Sequence, residues 1–302
     1  MENFFQELGK KLAEKWVSLL LLPGLLFVAA ARAGAALSQR DALDHDLLLR
    51  TASDTMAALA RMPGTSRVVA AVGLLLAAAG VGLAVQALAG VTQRIWLGAW
   101  PRPFEPVRRR LVARRFRRWH QEVARRRELE RSHPGESRTR EQQSRINAAA
   151  DRINRLALAE PARPTWMGDR IQAVEQVALH RSGLDLAFAW PRLWLVLPDT
   201  VRGEITAAHA AFARAAAIGS WAWPYLFLGA VWWPAALIGA VIGTTGWARA
   251  RAAVSDLSAL SEAAVDLHAR TLATALGISV DTTGPITIAE GERITALVRK
   301  GR

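Results

Sequence analysis

The chain has no cysteine, a single tyrosine and only four lysines among its 39 basic residues. Without thiols there is no disulfide, no thiolate nucleophile and no Cys-ligated metal. Histidine is sparse as well. His45, His120, His133, His180, His209 and His268 are scattered, and none forms the HxxxH or HExxH spacing that sets two ligands on one helical face. No metal site and no cofactor is expected. GxSxG, Walker, Rossmann and kinase patterns are missing, so the sequence reads as a non-enzyme. Asp266 and His268 lie two apart, on different sides of a helix, and read as structural. Internal repeats and low-complexity tracts are also lacking.

What is present is segregated. Apolar residues make up 51% and charged residues 22%, and the two kinds are gathered into separate blocks. Apolar runs occupy residues 16–37, 68–91 and 215–248. A spanning helix needs about 20 apolar residues to cross roughly 30 Å of hydrocarbon. The first two runs fit one crossing each. The third would be about 50 Å long as a single helix, so it is expected to fold back at LGAVWWP (228–234). There a proline suits the first turn of a second helix, and Trp232 and Trp233 suit the headgroup layer. A single span kinked at Pro224 is the rival.

The expectation is an all-α integral membrane protein with four transmembrane helices and a cytoplasmic helical hairpin domain. Its parts are residues 1–91 (an amphipathic leader and the first helix pair, with an outer loop at 38–67), an Arg-rich cytoplasmic domain at 92–204, a second membrane hairpin at 205–248, and a cytoplasmic helix and tail at 249–302. Residues 38–67 hold four Arg against four Asp, whereas 92–204 hold 23 Arg against 13 acids. Positive loops stay inside. The expected location is the plasma (inner) membrane, multi-pass, with both ends in the cytoplasm. A cleavable leader ending near AAARAGA (29–35) is the weaker alternative, because its charged segment is 15 residues rather than a short one. The leader places Phe5, Leu8, Leu12 and Trp16 on one face and is expected to lie along the inner surface.

After the second run, Val112, Phe116, Trp119 and Val123 recur at helical spacing, and beyond the SHPGES turn so do Ile146, Ala150, Ile153 and Ala157. An antiparallel hairpin with facing seams is expected. Residues 108–127 hold ten arginines and one glutamate. The candidate lipid-phosphate or partner-binding residues are Arg108, Arg109, Arg110, Arg114, Arg115, Arg117 and Arg118. Phosphate attraction alone does not separate nucleic acid from lipid, but proximity to the second apolar run favours anionic headgroups over nucleic acid. A cytoplasmic protein partner and a homo-oligomer are the other expected associations.

GLDLAFAWPRLWLVLPD (183–199) is apolar but too short to span, and Pro191 and Arg192 interrupt it. Leu186, Trp190, Leu193, Trp194 and Leu197 share one helical face, so it reads as an interfacial or core element. Trp190, Arg192 and Trp194 are its candidate functional residues, with Arg192 expected to meet phosphates or an acid such as Glu175. Asp169, Glu175 and Asp185, with Arg170 and Arg192, are expected to tie the helices together through ion pairs. Within the apolar runs the polar candidates for an ion route are few, Gln86 and Arg214. Gly73, Gly80, Gly82, Gly239 and Gly243 suit close helix packing.

PTWMGDRIQAVE, GLDLAFAWPRLW and AAVDLHARTLATALGI, within residues 164–277, together resemble a recurring pattern in uncharacterised multi-pass membrane proteins of high-GC, actinobacterial-type bacteria. The resemblance covers a little over a third of the chain and implies an architecture, not a reaction. The functional expectation is a non-enzymatic, membrane-anchored scaffold or sensor whose basic domain recruits a partner to the inner membrane surface. The alternative is an oligomeric channel or small transporter.

Overall fold

A computed structural model describes residues 21–278 and 284–299. The amphipathic leader and the start of the first apolar run lie outside them. Regular structure among the described residues is helical throughout: α1 (Leu22–Leu37), α2 (His45–Arg61), α3 (Gly64–Trp96), α4 (Glu105–Ser132), α5 (Arg140–Leu156), α6 (Trp166–Ser182), α7 (Leu186–Val196), α8 (Asp199–Ser220), α9 (Ala222–Leu228), α10 (Trp233–Ala275) and α11 (Ile288–Val298). Local chemistry sets many of the boundaries. The side chains of Asp44, Thr165 and Asp185 accept first-turn N–H groups at the starts of α2, α6 and α7. Thr139 with Gln142, and Thr287 with Glu290, close reciprocal capping boxes on α5 and α11. Gly183 ends α6 at φ 66°, a left-handed conformation that costs glycine little.

The expected count of four membrane-spanning helices is wrong for this fold. By length and composition, α3 alone among the described helices is long and apolar enough to cross a membrane, with mean hydropathy 2.5 in its best 18-residue window. The reasons lie in where the helices begin and end. The described part of the first run is a 16-residue helix, about 24 Å long and short of the hydrocarbon. The third run is divided among the end of α8, the seven residues of α9 and the start of α10. In α10, Trp233, Pro234, Thr244 and Thr245 dilute the apolar stretch before Arg249 and Arg251 are reached. The multi-pass topology, and the placement of both ends that relied on an even number of crossings, fall with that count.

The chain forms two compact units, one of the residues up to Thr92 together with Ala213–Arg249, the other of Gln93–Phe212 together with the residues from Ala250 onward. In the first unit glycines allow close approach. A Cβ on Gly24 of α1 would lie 2.2 Å from the Ala78 carbonyl oxygen of α3, and one on Gly34 would lie 3.0 Å from Trp232 Cβ. The chain turns back between α9 and α10, where Gly239 and Gly243 face Leu226 and Ala222. Gly73 and Gly80 meet nothing and leave that part of α3 open. Gln39 fastens the turn, its Nε2 donating to the carbonyls of Gly229 and Ala230 at 3.0 and 2.8 Å. Trp232 donates from Nε1 to the Ala42 carbonyl at 3.0 Å. Trp223 Nε1 donates to Thr92 Oγ1 at 3.1 Å, and Phe27 packs edge-on to Tyr225 at 5.3 Å. Gln86 and Arg214, the candidates for an ion route, are both exposed.

The second unit has a conventional core. Leu184, Leu193, Leu272, Ala273 and Ile294 are fully buried, and residues of α6, α7, α8, α10 and α11 complete the cluster. The apolar stretch 183–199 therefore contributes Leu186, Leu193 and Leu197 to this core. The α4–α5 hairpin packs through Ile146, Ala149 and Ile153, with Trp119 Nε1 donating to the Ala157 carbonyl at 3.3 Å. Ala149, not Ala150, takes the deepest position.

Candidate functional site

The arginines of residues 108–127 differ in what they meet. At 3.6 residues per turn, Val112, Phe116, Trp119 and Val123 centre the packed side of α4, and Arg115 falls at its edge. Arg115 is structural. Its Nε and Nη2 lie 2.8 and 2.6 Å from Asp169 Oδ2, and Nη2 also donates to the Leu156 carbonyl at 3.0 Å. Asp169, 5% exposed, accepts in addition from the backbone N–H groups of Ala162 and Arg163 at 2.9 and 2.6 Å. The Arg115–Asp169 pair thus joins α4, the end of α5, the 157–165 connection and α6. Arg108 and Arg109 both donate to Glu105, at 2.7 and 3.0 Å. The hydrogen bonds from Arg108 and then Arg109 hold the Glu105 carboxyl at about 2, well below the usual range.

The remaining four candidates, Arg110, Arg114, Arg117 and Arg118, are exposed, and no described acid pairs with them. With Arg125 they occupy an arc of about 100° opposite the packed seam, along roughly 22 Å of helix. Gln121, also exposed, sits in the middle of that stripe. Arg125 was absent from the sequence-based candidates, although its position seven residues after Arg118 places it on the same face.

The aromatic block occupies a second position in the same unit. Trp190 and Trp194 are half-buried, with ring centroids 6.2 Å apart. They form one wall of a cavity of about 630 Å³. α6 contributes Ile171, Val174 and Glu175, α8 contributes Ile205, Thr206 and His209, and α10 contributes Leu257, Ser258 and Ser261. Arg192 points elsewhere. Its Nη1 donates to the Phe188 carbonyl of its own helix at 2.7 Å, so it does not pair with Glu175 as the sequence suggested. Asp185 meets Arg299 at 3.6 Å. Arg170 Nε donates to the buried Ser258 hydroxyl at 2.8 Å. Sequence reasoning missed Ser258, Ser261, Thr206 and His209 because they come from helices distant in the chain, and no local motif marks them.

Next to this cavity, Glu262 carries a buried Oε1 without a hydrogen-bond partner. Burial raises its pKa against the opposing pull of Arg170. Among the described residues, no three His, Asp or Glu side chains are grouped to hold a metal ion. Comparison of the chain with family models, curated proteins and solved structures finds no match.

Proposed function

We propose that the chain is a non-enzymatic, membrane-anchored scaffold or sensor whose Arg-rich helix α4 lies on an anionic membrane surface and presents the second unit to a protein partner. The observation that carries this is the stripe of Arg110, Arg114, Arg117, Arg118 and Arg125, which is exposed and lacks acidic partners. Like charges at i,i+4 spacing, as Arg110 and Arg114 are, weaken a solvated helix, whereas an acid at that spacing supports it, as Glu130 does for Arg126 at 2.8 Å. Each basic residue near an anionic leaflet contributes about 1 kcal/mol, so five contribute roughly 5 kcal/mol.

Anchoring is assigned to α3. A core helix of a soluble protein passes the same length and hydropathy test, but it is covered by its neighbours. Here only 17% of the apolar window is buried, and Val69 and Leu76 are 72% and 68% exposed. Lipid is the surrounding in which such a surface is stable. On this reading the inner membrane is the location, and the Arg-rich unit is on the cytoplasmic side, because positive segments are retained there.

The test uses the absence of native cysteine. A spin label at Gln121→Cys is measured in the full chain reconstituted in nanodiscs of phosphatidylcholine, with or without phosphatidylglycerol. The expected result is headgroup-depth contact with the anionic lipid only, reversed by about 1 M salt, where the screening length is about 3 Å. Identical spectra in both lipids would remove the proposed role of α4.

A further inference from the structure

We propose that the cavity walled by Trp190 and Trp194 binds a lipophilic organic cation. Its size, about 630 Å³, is in the range of roughly 300–1,000 Å³ typical of small-molecule sites. Its walls are mainly aliphatic and aromatic, which requires an apolar body. The sign of the ligand's charge follows from the polar groups. The chain holds 39 Lys and Arg, yet none of those among the described residues lines this cavity, whereas the carboxylate of Glu175 does.

Of the other polar groups, Thr206 and His209 line the α8 side, and the two serines of α10 are arranged to accept. Ser258 has its hydroxyl hydrogen directed to the Ser255 carbonyl at 2.9 Å, and Ser261 has its own directed to Leu257 at 2.8 Å, which leaves oxygen lone pairs as what the two side chains offer. Pro191, on the cavity wall inside α7, has no N–H to give the Ala187 carbonyl one turn earlier. Arg170 donates to Ser258 from outside the lining. Two indole rings, whose faces attract cations, form part of the same wall. An anionic amphiphile such as a fatty acid would meet Glu175 with no counter-charge from Lys or Arg. A cation with an apolar body meets an acid, two aromatic rings and a greasy wall.

The probes are tetraphenylphosphonium and tetraphenylborate, which match in shape and differ in sign. Binding of each to the full chain is measured by titration calorimetry in an uncharged detergent. With a net charge of +13 the chain as a whole favours the anion, so a preference for the cation identifies the site. The expected result is saturable 1:1 binding of the phosphonium, at least tenfold tighter than any binding of the borate. Glu175→Gln is expected to weaken it about fivefold. Ala187→Phe, which places a ring at the cavity wall from an exposed position, is expected to abolish it. Both substitutions are of exposed side chains, so folding is not at stake. Equal or tighter binding of the borate overturns the proposal, as does no binding of either ion or phosphonium binding that Ala187→Phe leaves intact. No anionic lipid is present in this experiment, so its failure is separate from failure of the α4 proposal.

Discussion

Replacing Asp169 with Asn tests the division of the arginines into structural and surface classes. The buried carboxylate receives the Arg115 guanidinium on one oxygen and two backbone N–H groups on the other. Asn keeps the shape and one accepting oxygen, but it leaves the Arg115 charge, 23% exposed, without its counter-ion. Breaking such a pair costs about 3–5 kcal/mol, and the retained amide oxygen puts the expectation near the lower end. At about 1.4 kcal/mol per factor of ten, roughly 3 kcal/mol accelerates hydrogen exchange at the affected amides about 100-fold. Exchange read by mass spectrometry on peptides covering residues 156–170 of the full chain is the assay. Arg110→Gln, on the exposed stripe, is expected to change the same peptides by less than about 0.5 kcal/mol. Arg115→Met with Asp169→Asn completes a cycle in which a coupling of about 1–3 kcal/mol is expected. If Asp169→Asn and Arg110→Gln give indistinguishable exchange, the reasoning that separates the two classes fails.

Three further outcomes follow from the same contacts. Glu262 has a raised pKa in the folded state, so it holds its proton to higher pH there than in the unfolded chain. Its contribution to stability is full below the ordinary carboxylate range and is lost as pH rises through the raised value. Glu262→Gln should therefore gain melting temperature relative to the native chain between pH 4 and pH 7, and an unchanged difference would contradict it. Gly291→Ala would set a Cβ 1.6 Å from the Ser182 carbonyl oxygen. It should lower stability by about 2 kcal/mol or more, as overpacking against backbone does, and thermal unfolding followed by circular dichroism measures it. Substituting Arg110, Arg114, Arg117 and Arg118 together by Gln should leave that unfolding unchanged while removing the lipid dependence of the label at position 121.

The α4–α5 hairpin was readable in the sequence because its seam is local: four apolar residues at helical spacing on each side of a Pro-Gly turn. Which of ten similar arginines is structural was half readable. Arg115 sits one turn before Trp119 and three residues after Val112, on the packed side, but its partner Asp169 lies 54 positions away. The membrane helices were overcounted because hydropathy adds residues along the chain and ignores where hydrogen-bonded helices end. Gln39 fastening the 229–232 turn, and the short α9 before it, are tertiary facts. The cavity was out of reach for the same reason, since four helices from residues 171 to 261 supply its walls. Its aromatic wall alone was visible, as the Trp190 and Trp194 pair.

The membrane-anchored reading of this chain requires that the uncovered surface of α3 be in lipid. Single cysteines at Val69, Leu76 and Leu83, which are 72%, 68% and 49% exposed in the fold, give unique thiols in a cysteine-free chain. Labelling of native membranes with a charged maleimide measures their surroundings directly. Because the protein itself does not cover these positions, the account predicts that Leu76→Cys and Leu83→Cys label only after denaturation. Rapid labelling of both in intact membranes, or recovery of the chain in the soluble fraction without detergent, would contradict it.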